Sequence, residues 1–310
     1  MKALNTAAVA ALLMTLAACS QGETAKTETA ATEAPAVQAS ADVQPFRIGT
    51  IEAFALRDGS LSVPNNNTVL AIGETAEDTN AVLTAADLPT DTLALSIQPL
   101  LIRNGDRVIL FDTGAAGQMG TEGKLSASLA AAGFEPGQIT DIVISHGHGD
   151  HVGGLVTGDG ALAFPNATIR MAANEWTALQ AQAEMAPLIT AITPKVETFA
   201  PNAEVVPGVT AVDIAGHTPG HSGYRIGTGE DSLLYFGDAM HHHVISVQRP
   251  DWTIQFDGRA EMAEASRRAL LERAADENLR LYGVHFPFPG IGRIQRQGDT
   301  FVWVPESPAA

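Results

Sequence analysis

Short apolar runs, each closed by glycine, proline or a charged residue, recur along the chain from position 46 to the C-terminus. Runs of that length read as buried strands, and they fall at 46–53, 95–102, 107–111, 141–145, 167–172, 209–214, 232–236, 280–284 and 301–304. Between them the pattern lengthens toward a helical period. Residues 124–132 are rich in Ala and Leu and stop before Gly133, a helix with a glycine at its C-terminal end. Asn174 is placed to cap a helix running through Trp176 and Leu179. Residues 259–276 carry Met262, Ala265, Ala269 and Leu270 at three-to-four spacing among charges, the mark of an amphipathic helix. Strands and helices mixed in this way predict a layered α/β fold.

The N-terminal region carries a different pattern. Lys2, a short apolar stretch over 7–16 and the small residues after it form a secretory signal, too short to span a bilayer. Leu16-Ala17-Ala18-Cys19 resembles the bacterial lipobox, so 1–18 is expected to be a lipoprotein signal peptide and Cys19 the lipidated residue. Cys19 is the only cysteine, which excludes an internal disulfide and a thiolate ligand in the core. From 19 to 42 the chain is Ala-, Thr- and Glu-rich, has prolines and almost no large apolar side chains, and predicts a disordered tether. The folded domain is then 43–305, with 306–310 a tail. These features predict an exported, periplasmic bacterial lipoprotein held to a membrane by its lipid alone. A net charge of −17 repels phosphate backbones and argues against a nucleic-acid partner.

The candidate chemistry sits just after the strand run at 141–145. His146-Gly147-His148-Gly149-Asp150-His151 brings four metal-capable side chains into six residues, two of them flanked by glycine. Imidazole and carboxylate suit zinc and related divalent ions, and the glycines let alternate side chains reach two nearby points. Three more segments repeat the arrangement of an apolar run ending in a ligand type: Gly216-His217-Thr218-Pro219-Gly220-His221, Gly237-Asp238 and Val284-His285. Singly, Asp238 could cap a turn and His285 could be a satisfied interior histidine. Together they read as a two-metal site assembled at strand ends.

In these motifs and in their order the chain resembles the metallo-β-lactamase superfamily, whose fold is an αββα sandwich. The resemblance includes Phe111-Asp112-Thr113-Gly114 and covers about 46–305. It implies that His146, His148 and His217 hold one metal, that Asp150, His151 and His285 hold the second, and that Asp238 bridges. Asp112 would orient a ligand histidine. Two divalent ions are implied, zinc first, with Mn2+, Fe2+ and Co2+ compatible with the same donors. Stretches 112–117, 163–167 and 285–292 are similar to the methyl parathion hydrolase and lactonase-like branch, where segments like those of Met119 and Trp176 line the substrate pocket. Ordinary helix packing is the competing account of Trp176, and only 5% of the chain is aromatic. True β-lactamases of this fold lack the bridging aspartate, and many use a cysteine ligand, so antibiotic hydrolysis is not expected.

What the resemblance implies is a dinuclear metal-dependent hydrolase that uses a metal-bridging hydroxide to cleave an ester-type bond: a lactone, an aryl or carboxyl ester, or a phosphotriester. The partner is then a small apolar ester or lactone, and relatives are often homodimers. Catalytic roles fall to Asp150, Asp238 and His241. Lactonases of this fold often carry a tyrosine where this chain has His241, followed by His242 and His243. His241 would donate to a developing oxyanion or carry a proton; the competing account has one of the three lining the pocket wall and the others facing solvent. His221 reads as a turn residue. Competing functions are a mono-iron sulfur dioxygenase, a glyoxalase II-like thioester hydrolase and a non-catalytic metal-binding protein.

Overall fold

The computed structural model describes residues 37–306. The segments expected to be a signal peptide (1–18), the lipidated Cys19, the tether up to residue 36 and the tail from 307 lie outside the described residues. Two ends of the expected domain move. Val37 packs against a core cluster, and the carboxylate of Asp42 pairs with Lys124 at 3.2 Å, so the last residues assigned to the tether belong to the fold. Glu306, placed in the tail, pairs with Arg280 at 2.6 Å.

Two seven-stranded sheets make the frame. The first runs in the order Val43–Ile48, Ile51–Leu56, Leu100–Asn104, Arg107–Phe111, Asp141–Val143, Thr168–Ala172 and Val196–Phe199. It is antiparallel up to Arg107–Phe111 and parallel beyond. The second runs Glu204–Val206, Val209–Asp213, Ser222–Ile226, Leu233–Tyr235, Arg280–Tyr282, Ile291–Gln297 and Thr300–Pro305.

Alternation along the strands explains the layering. Ile51, Ala53 and Ala55 share one cluster with Ile109, Phe111 and Val143 from the first sheet and with Val209, Tyr224, Leu233 and Tyr282 from the second. Phe54, Leu56, Leu110 and Ile142 point the other way, against Leu125 and Leu129 of the helix Leu125–Ala131 and Leu179 of the helix Ala173–Gln180. The period of two thus puts apolar side chains on both faces. On the far side of the second sheet, Leu270, Leu271 and Ala274 of the helix Ala260–Asp276 pack on Leu234, Leu281 and Ile294. The order is helix, sheet, sheet, helix, the αββα sandwich.

Two expected strands divide. The 46–53 run is a hairpin turning at Gly49 (φ +56°), with Ile48 opposite Ile51. The 95–102 run breaks at Gln98-Pro99, where proline offers no N–H to a ladder. Its first part, Thr92–Ile97, pairs with Gly59–Pro64 and its second joins the first sheet. A small unit absent from the sequence reading fills this side. The helix Ala76–Ala85, capped by Thr75 through Asp78 N–H at 3.1 Å, packs Val82 and Leu83 on Val244, Ile245 and Trp252. Asn174 does not cap its helix, which starts one residue earlier with no side-chain cap. In Ala260–Asp276 the buried face is Ala263, Arg267, Leu270, Leu271 and Ala274, whereas Ala265 and Ala269 face solvent. Among the described residues no helix is long and apolar enough to cross a membrane.

Candidate metal centre

Each ligand-type residue follows a strand of the frame. Asp112 ends Arg107–Phe111, His146 follows Asp141–Val143, His217 follows Val209–Asp213, Asp238 follows Leu233–Tyr235 and His285 follows Arg280–Tyr282. The turn after His146 becomes the one-turn helix Gly149–Val152, which carries Asp150 and His151. Strand ends from both sheets therefore converge on one edge of the sandwich.

The side chains form two main clusters, and a third group, Asp238, His241 and His285, shares members with both. His146 Nε2, His148 Nδ1 and His217 Nε2 make a triangle with sides of 3.0, 3.1 and 3.2 Å. Asp150, His151 and His285 form the second group. Asp238 stands between them. Its Oδ2 lies 3.6 Å from His146 Nε2 and 3.4 Å from His217 Nε2, and its Oδ1 lies 3.2 Å from His151 Nε2 and 3.1 Å from His285 Nε2. Asp150 closes the second group, 3.7 Å from His151 Nε2 and 3.5 Å from His285 Nε2.

These atoms suit divalent metal ions better than they suit one another. Three imidazole nitrogens cannot all donate around one triangle, and His151 Nε2 and Asp238 Oδ1 are buried with no hydrogen-bond partner among the described residues, an expensive state unless something else satisfies them. Donors about 2.0–2.1 Å from a tetrahedral ion lie about 3.3 Å apart, close to the spacing here.

The outer ring nitrogens are held. Asp112 Oδ2 meets His151 Nδ1 at 2.7 Å, Ser145 Oγ meets His146 Nδ1 at 3.1 Å, Asp257 Oδ1 meets His217 Nδ1 at 2.9 Å, and the Ser96 carbonyl meets His285 Nδ1 at 2.8 Å. Each such bond aims the Nε2 lone pair inward. Asp112 is itself fixed by Ser145 N–H at 2.7 Å, Ser145 Oγ–H at 2.6 Å and Tyr235 O–H at 2.6 Å.

Burial keeps His146, His148 and His217 below the ordinary imidazole value, His217 at about 3, so they carry the neutral form a ligand needs. For His151 and His285 burial also lowers the value, but the carboxylates of Asp238 and Asp150 outweigh it and raise both. Burial would raise Asp238, yet the surrounding imidazoles hold it well below the usual carboxylate range.

His221 is a turn residue that also sets the site. Its Nδ1 donates to the Ile214 carbonyl at 2.9 Å and its Nε2 accepts from Asp238 N–H at 2.9 Å. Gly237 is required beside it, because a Cβ there would lie 2.6 Å from His221 Nε2. His241 is buried, its Nε2 3.1 Å from Asp238 Oδ2 and its ring parallel to that of His285 at 5.5 Å. His242 does not face solvent: it is buried, and its Nδ1 accepts from Val244 and Ile245 N–H. His243 is half-buried.

Of the expected pocket residues, Met119 is 54% exposed on a loop tied at both ends to buried Asp58, which accepts from Ala115 N–H and Leu125 N–H. Trp176 is half-buried against the outer core cluster. Phe256, absent from the sequence reading, is 42% exposed with its ring 5.9 Å from that of His241. Asp257 and Glu175 were also missed. Glu175 accepts from Gly147 N–H, Gly220 N–H and Thr218 Oγ1 and so joins two ligand loops. Ser145, adjacent to His146, had a local signal; Asp257 and Glu175 had none, since their partners are distant in sequence.

The profile of the metallo-beta-lactamase superfamily matches residues 94–285. An N-acyl homoserine lactonase of Bacillus cereus is 30% identical over 168 residues, 47% of this chain and 64% of that enzyme, so the match spans just under two thirds of the relative. Among solved structures, AidC, a dizinc quorum-quenching lactonase in complex with the product N-hexanoyl-L-homoserine, superposes with a TM-score of 0.79 at 30% identity, over 86% of this chain and 98% of AidC. The hydrolase AbOPH of the β-lactamase superfamily gives 0.77 at 28% identity, over 87% and 99%.

Proposed function

The chain belongs to the metallo-β-lactamase superfamily and carries the constellation of a metal-dependent hydrolase; on that premise we propose that it is a dinuclear lactonase acting on lactones with an apolar acyl substituent. The observation that carries the reading is Asp238, whose two oxygens face different clusters at 3.1–3.6 Å. His146, His148 and His217 would hold one ion, Asp150, His151 and His285 the other, and Asp238 would bridge. When bound, such a pair brings the pKa of water toward about 7 and polarises the scissile bond.

The chain's own groups do the rest. Opening a lactone leaves an alkoxide, a poor leaving group that benefits from a proton donor. His241 has both ring nitrogens buried without a hydrogen-bond partner among the described residues. It is the group we place on the substrate oxygen. Phe256 is 42% exposed beside His241, just after the short ribbon in which Thr253–Ile254 pairs with Leu70–Ile72 and in which Leu70, Ala71 and Ile254 are buried. We assign Phe256 to the acyl chain, with Met119 and Trp176 as further candidates for the pocket. The likeness to AidC and to the Bacillus cereus lactonase supports the substrate class. We also propose, on the sequence 16–19 alone, export with a lipid on Cys19.

The test compares kcat/KM of the zinc-reconstituted domain on a long-chain homoserine lactone and on a nitrophenyl phosphotriester. Preference for the lactone is expected; preference for the phosphotriester would overturn the substrate class, and turnover of neither would overturn the activity. Phe256→Ala is expected to raise KM about tenfold for a long acyl chain and to leave KM for a short one unchanged.

A further inference from the structure

Arg267 is fully buried in the middle of the helix Ala260–Asp276, 1% exposed, and its guanidinium reaches into the loops behind the metal centre. Nη2 donates to Asp257 Oδ2 at 2.6 Å, Nε to the Ala239 carbonyl at 2.7 Å, and Nη1 to the Pro250 and Trp252 carbonyls at 2.9 and 3.3 Å. The other oxygen of Asp257 faces His217 Nδ1 at 2.9 Å. Ala239 is the residue after Asp238. One side chain thus touches the carboxylate that backs His217 and the backbone next to the carboxylate between the clusters.

This helix and the two residues that lead into it grip the His217 loop elsewhere. Arg259 N–H donates to the Gly216 carbonyl, Gly258 N–H to the His217 carbonyl, and Ser266 Oγ–H to the Ala215 carbonyl, at 2.9, 2.9 and 2.7 Å. A buried ion pair is weak evidence for stability, because desolvation offsets much of the attraction. What this pair does supply is direction. With Asp257 locked by Arg267, His217 is held with Nδ1 toward the carboxylate and Nε2 toward His146 and His148.

We propose that Asp257, held by Arg267, is a positioning residue for the three-histidine site. The backing of the other group is separate: His151 rests on Asp112 and His285 on the Ser96 carbonyl. His217 is therefore backed from a different part of the fold than His151 and His285, and losing Asp257 or its Arg267 anchor weakens the three-histidine position more than its neighbour. This rests on the two-ion reading above.

The experiment measures metal per chain and affinity by chelator competition for the wild type, Asp257→Asn, Arg267→Lys and Asp112→Asn, with cobalt absorption to tell the two positions apart. Arg267→Lys keeps the charge but cannot span Ala239 and Asp257 together, and Asp257→Asn keeps the shape, so each guards against a folding failure of the other. Both are expected to bind the three-histidine ion about 10–100-fold more weakly, the usual effect of removing a partner of a ligand histidine, and to weaken the other position less. Asp112→Asn is expected to reverse the order, weakening the Asp150, His151 and His285 position most and the three-histidine position less, through Ser145 and His146. Equal weakening of both ions in Asp257→Asn and Arg267→Lys, or no weakening, overturns the proposal. A wild type that binds fewer than two ions overturns the two-ion reading instead.

Discussion

His241 and Asp141 show how differently two buried polar groups can behave. His241 Nδ1 has no hydrogen-bond partner among the described residues, and Nε2 has only the Asp238 carboxylate 3.1 Å away, in poor hydrogen-bond geometry, which is costly unless the ring is kept for a ligand. His241→Phe keeps the ring and removes both nitrogens. It is expected to lower kcat about a hundredfold, measured by steady-state kinetics, with metal analysis of the same variant to separate loss of the proton donor from loss of an ion. Asp141 is saturated instead, held by Arg107 at 2.8 Å and Arg170 at 2.9 Å. Burial raises its value, and the Thr140 hydroxyl and the two guanidinium groups outweigh it, so the carboxyl stays below its ordinary range. A depressed acid contributes stability above its unfolded value, near 4, and loses it as pH falls through the folded one. Asp141→Asn should therefore cost about 1 kcal/mol at pH 7, discounted because Arg107 is partly exposed. The gap to wild type should close below about pH 4, as read by urea melts across pH.

The elements that differ from the sequence pattern do so for tertiary reasons. Residues 46–53 and 95–102 each read as one apolar run because apolar character does not mark a turn between two strands that are both buried. The helix Ala260–Asp276 shows the reverse: its apolar period suggests a face through Ala265 and Ala269, but the buried face contains Arg267. Only the backbone carbonyls and carboxylate waiting for the guanidinium make that face possible. The contact between this helix and the His217 loop is also unusually close. A Cβ on Gly216, at φ +124°, would lie 2.2 Å from the Ala263 nitrogen. Gly216→Ala combines backbone strain with overpacking and is expected to cost about 3 kcal/mol, seen as a lowered Tm in the apo protein.

Across the whole molecule the site joins the two sheets at one edge. His146 follows a strand of the first sheet, and His217, Asp238 and His285 follow strands of the second. Ions bound there would link the layers and stabilise only the folded chain. Metal at a thousandfold excess over Kd contributes about 4 kcal/mol for one site, or roughly 10 °C for a domain of this size. Chelation should lower Tm by that order, and zinc should restore it; an unchanged Tm in a chain that has lost metal would count against the ions bridging the sheets.

The sequence by itself determined the fold class and picked out the candidate ligand residues that the structure brings together. Apolar runs mark strands, and His146 to His151 crowd so many donors into one turn that metal binding follows from composition and spacing. What it could not determine was everything that depends on residues distant in the chain. Asp257, Glu175 and Arg267 are chemically ordinary until folding places them behind His217 and Gly147, and Phe256 becomes a candidate wall only because its loop sets it beside His241. Hydrogen-bond partners of this kind have no period and no local motif. They are chosen by where loops from two sheets meet, and only the tertiary structure decides that.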